Sequence, residues 1–276
     1  MRKFHLLTFL LLSIGLTAHS QTLDTLIIGS NYGLHFSLLQ GKGIPILFEA
    51  GNGDDASVWT PLLQDIHEAT GATLITYDRA GLGQSSIDTS SISFEKEVQH
   101  LQEALEQMGY GKEFFLVAHS FGSYYASEFA QKNKGKIRGA VFIDIATPCG
   151  LHADYVNRVV NSISQENWKL IKEYKKGLYY VLRNFPEITE YMSDRFLPAD
   201  IPVTVIAAEL RTPTKEIGET EQDMVNTTDC IKAYGQLPKH KYVLAPNTEH
   251  KVWKKNPELV VKEITELYRQ TAVSKQ

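Results

Sequence analysis

Cysteine is scarce: the chain of 276 residues has two, Cys149 and Cys230. There is no C-x-x-C and no H-E-x-x-H, so neither a dithiol redox site nor a metal site has support, and no metal is expected. The two cysteines could pair in an oxidising compartment. A domain of this size does not need a staple, however, and two separate buried thiols are the expectation. Positive charge is not in excess either. A net charge of −4, a pI near 6.1 and no basic cluster interleaved with aromatics argue against nucleic-acid binding. Linker-like stretches, internal repeats and low-complexity segments are missing too. The one long hydrophobic run, 6–16, lies close to the N-terminus, after Arg2 and Lys3 and before the small residues of Ala18-His19-Ser20. That pattern reads as a secretory signal peptide, 1–20, cut before Gln21. The run is too short for an ordinary spanning helix, and no cysteine near the cut suggests a lipid anchor. The mature chain is therefore expected to be exported, periplasmic or extracellular, without stable membrane insertion.

What is there is an alternation. Short apolar runs rich in β-branched and aromatic residues mark eight strands, at 23–28, 34–39, 45–49, 73–77, 114–117, 140–144, 203–208 and 241–245. The turn residues Gly29-Ser30-Asn31-Tyr32-Gly33 make the first two an antiparallel pair. Between the later strands lie helical patterns. In the clearest, Phe94, Val98, Leu101, Leu105 and Met108 form one stripe, Ser93 is the N-cap and Gly109 ends the helix. The last has Asn256 as cap, Pro257 at its first position, and Leu259, Val260, Ile264 and Leu267 facing inward. Strands alternating with helices imply an α/β fold, a doubly wound, mostly parallel eight-stranded sheet covered on both faces. The core spans 21–148 and 201–276. Residues 149–200 break the alternation with several helices and no strand. An insertion there is expected to be a helical cap, a lid over the strand ends where such sheets place their ligands; the alternative is a purely packing role.

The chemistry concentrates in Ala118-His119-Ser120-Phe121-Gly122, where the strand at 114–117 turns into a helix. A serine between small residues at such a junction is a nucleophile elbow: the tight turn strains the serine and lifts its hydroxyl above the sheet. Such a serine needs a base, an orienting acid and oxyanion donors. His250 falls in the loop between the last strand and the capped last helix, and can reach the strand tops. His240, among lysines, reads as solvated. The turn that exposes Ser120 directs His119 elsewhere, so His119 reads as packed and hydrogen-bonded. The loop 49–59 is rich in Gly, Asn and Asp, and its glycines permit the backbone shapes that a donor loop needs.

With Glu49-Ala50-Gly51-Asn52-Gly53 and Trp59, with Tyr77-Asp78-Arg79-Ala80-Gly81-Leu82-Gly83-Gln84-Ser85, with the elbow and with His250, the chain resembles the α/β-hydrolase fold superfamily over essentially all of its mature length. The resemblance implies Ser120 as nucleophile, His250 as base, and the N–H groups of Asn52 and Phe121 as the oxyanion hole. It gives Asp78 and Arg79 a mainly structural role. The sequence departs from the family pattern at the acid. Many relatives carry an aspartate after the seventh strand; in Ala207-Ala208-Glu209-Leu210-Arg211 that place holds Arg211. Asp144, ending the sixth strand, is the favoured acid, and Glu209 the alternative. A serine at the elbow argues against dehalogenases and epoxide hydrolases, which in this superfamily use aspartate there. The resemblance thus implies a serine hydrolase of a carboxylic ester or similar small-molecule acyl substrate, needing no cofactor. Lactonase, thioesterase, amidase and peptidase chemistry stay open, as does the competing reading as a binding protein without turnover. Oligomeric state is not legible.

Overall fold

In the computed structural model, the structure describes residues 22–28, 32–90 and 92–272. The signal-peptide segment and the turn at 29–31 lie outside them. Eight strands are present: β1 (Thr22–Ile28), β2 (Gly33–Leu39), β3 (Ile46–Glu49), β4 (Leu74–Tyr77), β5 (Phe114–His119), β6 (Ile137–Ile143), β7 (Val203–Ala208) and β8 (His240–Ala245). They form one sheet in the order β1-β2-β4-β3-β5-β6-β7-β8. The β1–β2 and β2–β4 pairs are antiparallel and all the others parallel. This is the doubly wound, mostly parallel sheet that the strand pattern implies.

Strand periodicity explains why both faces are covered. In β5, Phe114, Leu116 and Ala118 join one apolar cluster, while Phe115 and Val117 join the other. Alternate residues of a strand point to opposite faces, so a run apolar at every position needs helices on both sides. One face is covered by α1 (Thr60–Thr70) and α9 (Pro257–Ala272), through Leu62, Ile66, Val260 and Ile264. The other is covered by α2 (Phe94–Gln107), α3 (Gly122–Lys132) and α8 (Glu221–Gly235), through Val98, Leu101, Phe129 and Ile231. Ser93 caps α2, and Gly109, at φ +87°, follows its end in the left-handed region where glycine is favoured. The Asn256 side chain accepts from Leu259 N–H at 3.1 Å and caps α9.

Residues 149–200 hold four short helices, α4 (Ala153–Ser162), α5 (Gln165–Tyr174), α6 (Lys176–Arg183) and α7 (Phe185–Tyr191). Their packing is uneven: α4 buries Val156 and Val159, whereas α5 buries no residue. Cys149, where this segment begins, forms a disulfide with Cys230 of α8. That corrects the expectation of two separate thiols. The expectation weighed the needs of the whole core, but the bridge instead ties the root of the insertion to a helix of the core.

Candidate active site

The parallel strands β5, β6 and β7 end side by side, and the candidate residues sit at those ends. Ser120 follows β5 with φ +52°, left-handed backbone in a non-glycine residue. Its neighbours hold it there. Its N–H donates to Ile143 O (3.2 Å), and its carbonyl accepts from Ala146 N–H (3.1 Å) and lies 2.8 Å from the Ser123 hydroxyl. Gly122 is required sterically: a Cβ there would stand 2.5 Å from the carbonyl oxygens of Glu49 and Ala50. The opposite small position, Ala118, is fully buried in β5 and tolerates its methyl.

Asp144 follows β6 and is also left-handed, at φ +44°. Aspartate tolerates this region better than most residues, and its N–H is anchored on Ile206 O at 2.7 Å. Two adjacent strand ends thus carry two unusual backbones, each stitched to the next strand. The carboxylate is buried. Its Oδ2 accepts from His250 Nδ1 at 2.6 Å, and its Oδ1 accepts from Ala208 N–H at 2.9 Å and from the Arg211 guanidinium. Burial alone would push this carboxyl up; the His250 hydrogen bond, the Arg211 charge and the Ala208 N–H outweigh it and hold Asp144 below the usual carboxylate range.

His250 completes the line. With Nδ1–H donated to the carboxylate, Nε2 carries the lone pair and stands 2.9 Å from Ser120 Oγ. The imidazole is about half exposed. Its loop is fixed from below by His119, whose Nε2–H donates to the His250 carbonyl at 3.0 Å. Burial, with the nearby His250, holds His119 well below the usual histidine range, so it is neutral. His119 is buried, as the turn geometry implies. His240 differs from expectation: it is half-buried, with Nδ1 2.8 Å from Tyr234 O and its ring against Tyr234. The lysines beside it suggested a solvated face, but the strand directs His240 against α8.

Glu209 does not join the group. It is exposed, and its Oε2 accepts from Asn247 N–H at 2.7 Å, bracing the turn that leads to His250. On the other side of Ser120, Asn52 and Phe121 line one cavity together with it. Neither backbone N–H makes a hydrogen bond to the described residues. The orientation of the first has a visible cause. Buried Arg79 donates to Ala50 O at 2.6 Å and Gly51 O at 2.5 Å. In a trans peptide the N–H points opposite to the carbonyl, so fixing Gly51 O turns Asn52 N–H away from the guanidinium. Arg79 itself is held by the Tyr125 ring, 4.5 Å away, and by Glu49 at 3.8 Å. Lys251 donates to Asp54 at 2.8 Å, joining the histidine loop to the donor loop.

Sequence reasoning missed Arg211 as a partner of Asp144, and the grip of Arg79 on the donor loop. The first had a signal: a cation standing where an acid was expected complements an acid that has moved one strand away. The second had none, because a carbonyl contact leaves no mark in the residue types. Among the described residues no group of three or more His, Cys, Asp or Glu could hold a metal ion, and no helix is long and apolar enough to cross a membrane.

The sequence model of the alpha/beta hydrolase fold matches residues 44–167. The uncharacterized protein YqjL of Bacillus subtilis is 25% identical over 229 residues, covering 79% of this chain and 81% of that protein. Among solved structures, an esterase from Thermogutta terrifontis superposes with a TM-score of 0.61 at 18% identity, covering 91% of this chain and 100% of its own. The haloalkane dehalogenase DatA from Agrobacterium tumefaciens gives 0.67 at 13%, covering 91% and 97%. With its sheet order, its strand-to-helix elbow after β5 and its histidine after β8, the chain has the α/β-hydrolase fold.

Proposed function

We propose that this protein is an exported serine hydrolase that cleaves a carboxylic ester or a similar acyl compound. One observation carries the reading: Ser120 Oγ, His250 and Asp144 are in line, at 2.9 and 2.6 Å. Ser120 Oγ attacks the acyl carbon while its proton passes to His250 Nε2. The charge gathering on the acyl oxygen is met by the N–H groups of Asn52 and Phe121. The bond to the leaving group breaks, His250 returns its proton to that group, and the acyl stays on Ser120. Water then attacks with His250 again as base, releasing the carboxylic acid and restoring the serine hydroxyl. Asp144 holds the productive imidazole tautomer and stabilises the imidazolium. None of these steps calls for a cofactor.

Both the esterase and the dehalogenase share this fold, so the fold does not choose between their chemistries. The residue at the elbow does. A serine hydroxyl needs a base to become nucleophilic, and His250 is within hydrogen-bond reach of it. Export is read from the N-terminal pattern of Arg2, Lys3 and the run at 6–16. Residues 149–200 act in this reading as the lid.

A fluorophosphonate probe tests the chemistry. The mature chain should be labelled once, at Ser120, and Ser120→Ala should not be labelled; labelling elsewhere, or none, would sink the reading. Sequencing the secreted protein should find Gln21 first.

A further inference from the structure

Two chambers open on Ser120, and their linings differ in kind. One, of about 480 Å³, contains the donors Asn52 and Phe121 and is walled mainly by apolar residues, among them Val159, Ile171, Leu178 and Phe185, with Asn167 and Glu216 also in its lining. The other, of about 530 Å³, contains His250 and Asp144 and is walled by Arg211, Thr214, Glu219 and Glu249, with Ile145, Leu210 and Met224 also in its lining. Ala146, Leu151 and Tyr155 line both and form the partition between them. Both volumes lie within the ordinary range of ligand pockets, roughly 300–1,000 Å³.

Resting on the reading of Ser120 as the acylated nucleophile, the chemistry assigns the chambers. The group that departs must receive its proton from His250, so it lies on the histidine side. The acyl oxygen must face the Asn52 and Phe121 amides, so the chain beyond the acyl carbon runs into the apolar chamber. Polarity then selects the substrate. An apolar chain laid against these hydrophobic side chains is favoured by the apolar surface it removes from water. A polar leaving group finds partners among the threonines and carboxylates opposite.

Charge narrows the choice further. The histidine-side chamber has one arginine against three carboxylates, Asp144, Glu219 and Glu249. The arginine is already engaged by Asp144. Glu219 accepts from the Tyr155 hydroxyl at 2.6 Å and from Thr214 N–H at 2.7 Å, while Glu249 is exposed at the mouth. An anionic leaving group would meet uncompensated negative charge; a cationic or neutral polar one would not. We infer that the protein hydrolyses esters of an apolar carboxylic acid with a neutral or cationic polar alcohol, the acid housed beneath the insertion and the alcohol beside His250.

Kinetics can read the two chambers separately, because the leaving group is gone before the acyl-enzyme hydrolyses. A residue that touches only the leaving group alters acylation and not deacylation; one that touches the acyl chain alters both. The experiment compares hexanoylcholine with the hexanoate ester of glycolate, and uses the burst and steady phases of p-nitrophenyl hexanoate and acetate. The wild type should prefer the choline ester at least tenfold in kcat/KM. Glu249→Lys, a change at an exposed residue, should cut that preference at least fivefold at low ionic strength. The effect should shrink in salt, and the steady phase should stay within twofold. Ile171→Trp should lower hexanoate against acetate at least tenfold in both phases and leave the choline-to-glycolate ratio alone. Circular dichroism and melting of each variant exclude loss of fold. A glycolate preference in the wild type, an Ile171→Trp effect on the alcohol alone, or a salt-insensitive Glu249→Lys change in deacylation would overturn the assignment. A wild type with neither burst nor probe labelling would instead overturn the serine-hydrolase reading on which it rests.

Discussion

Residues 114–132 and residues 149–200 flank the same serine and are built in opposite ways. Every residue of β5 is buried, and α3 is buried from Gly122 through Ala130. Across the site, α5 buries none of its residues, and a disulfide at Cys149 secures the root of the segment. Close packing transmits small displacements, so the elbow holds its serine within the tolerance that proton transfer needs. Thin packing lets a surface change its side chains at little cost in stability. In the function proposed, reaction geometry rests on the core, and the choice of acyl chain on the insertion.

The comparison breaks first if the core side fails. Ser120→Ala and His250→Ala should each remove turnover by a factor on the order of 10⁴–10⁶ and lose nearly the same amount, since they act as one unit. The proteins should remain folded, and unequal losses would separate the two residues. Asp144→Asn should lower kcat roughly 10³- to 10⁴-fold by allowing the wrong imidazole tautomer. Glu209→Gln should cost about tenfold or less, because its contact is with Asn247 and not with the ring. The reverse ranking in steady-state kinetics would move the acid to Glu209.

Arg79→Lys probes the donor loop. An ammonium lacks the planar fork whose two nitrogens reach the Ala50 and Gly51 carbonyls, so kcat should fall roughly 10- to 100-fold, KM should hardly change, and a trifluoromethyl ketone should bind more weakly in proportion. A rise in KM alone would make Arg79 a packing residue. On the insertion side, Cys230→Ser should cost roughly 2–4 kcal/mol in denaturant unfolding. Acetate ester turnover should stay within a few-fold, because no group of the triad touches the bridge.

The smallest effect is a pH dependence. Burial pushes Glu49 from the ordinary 4.5 up to about 8, against the opposing pull of Arg79 and the Tyr77 hydroxyl. The folded state therefore holds a proton that the unfolded state releases between these values. Stability from Glu49 is complete below about pH 4.5 and is lost as pH rises through 8. Asp144, shifted down, acts oppositely and loses its contribution as pH falls through its depressed value. Melting temperatures from pH 5 to 8 should decline less in Glu49→Gln than in the wild type.

The sheet was legible because the strands are short and mostly apolar, and the helices between carry stripes and caps. Boundaries moved where a polar residue lies near the start of a strand: β6 starts at Ile137, ahead of Arg138, and not at 140. At the site, Ser120, His250 and Asp144 were legible from their places at strand ends. The Arg79 contacts and the disulfide were not. Both depend on how segments pack against one another in space, and neither alters the local pattern around its residues.

His250 stands 130 positions from Ser120 and 106 from Asp144. The imidazole enters the site only when β8 pairs with β7, the last parallel pairing of the chain in sequence order. Such distant closures are slow to form. In the mechanism proposed, a chain emerging from synthesis carries its nucleophile well before its base, and acts on acyl compounds only once the sheet is finished. After dilution from denaturant, esterase activity should return no earlier than the burial of Trp59, which packs on Trp253 just beyond His250 (ring centroids 5.1 Å), and activity that returned first would contradict this order.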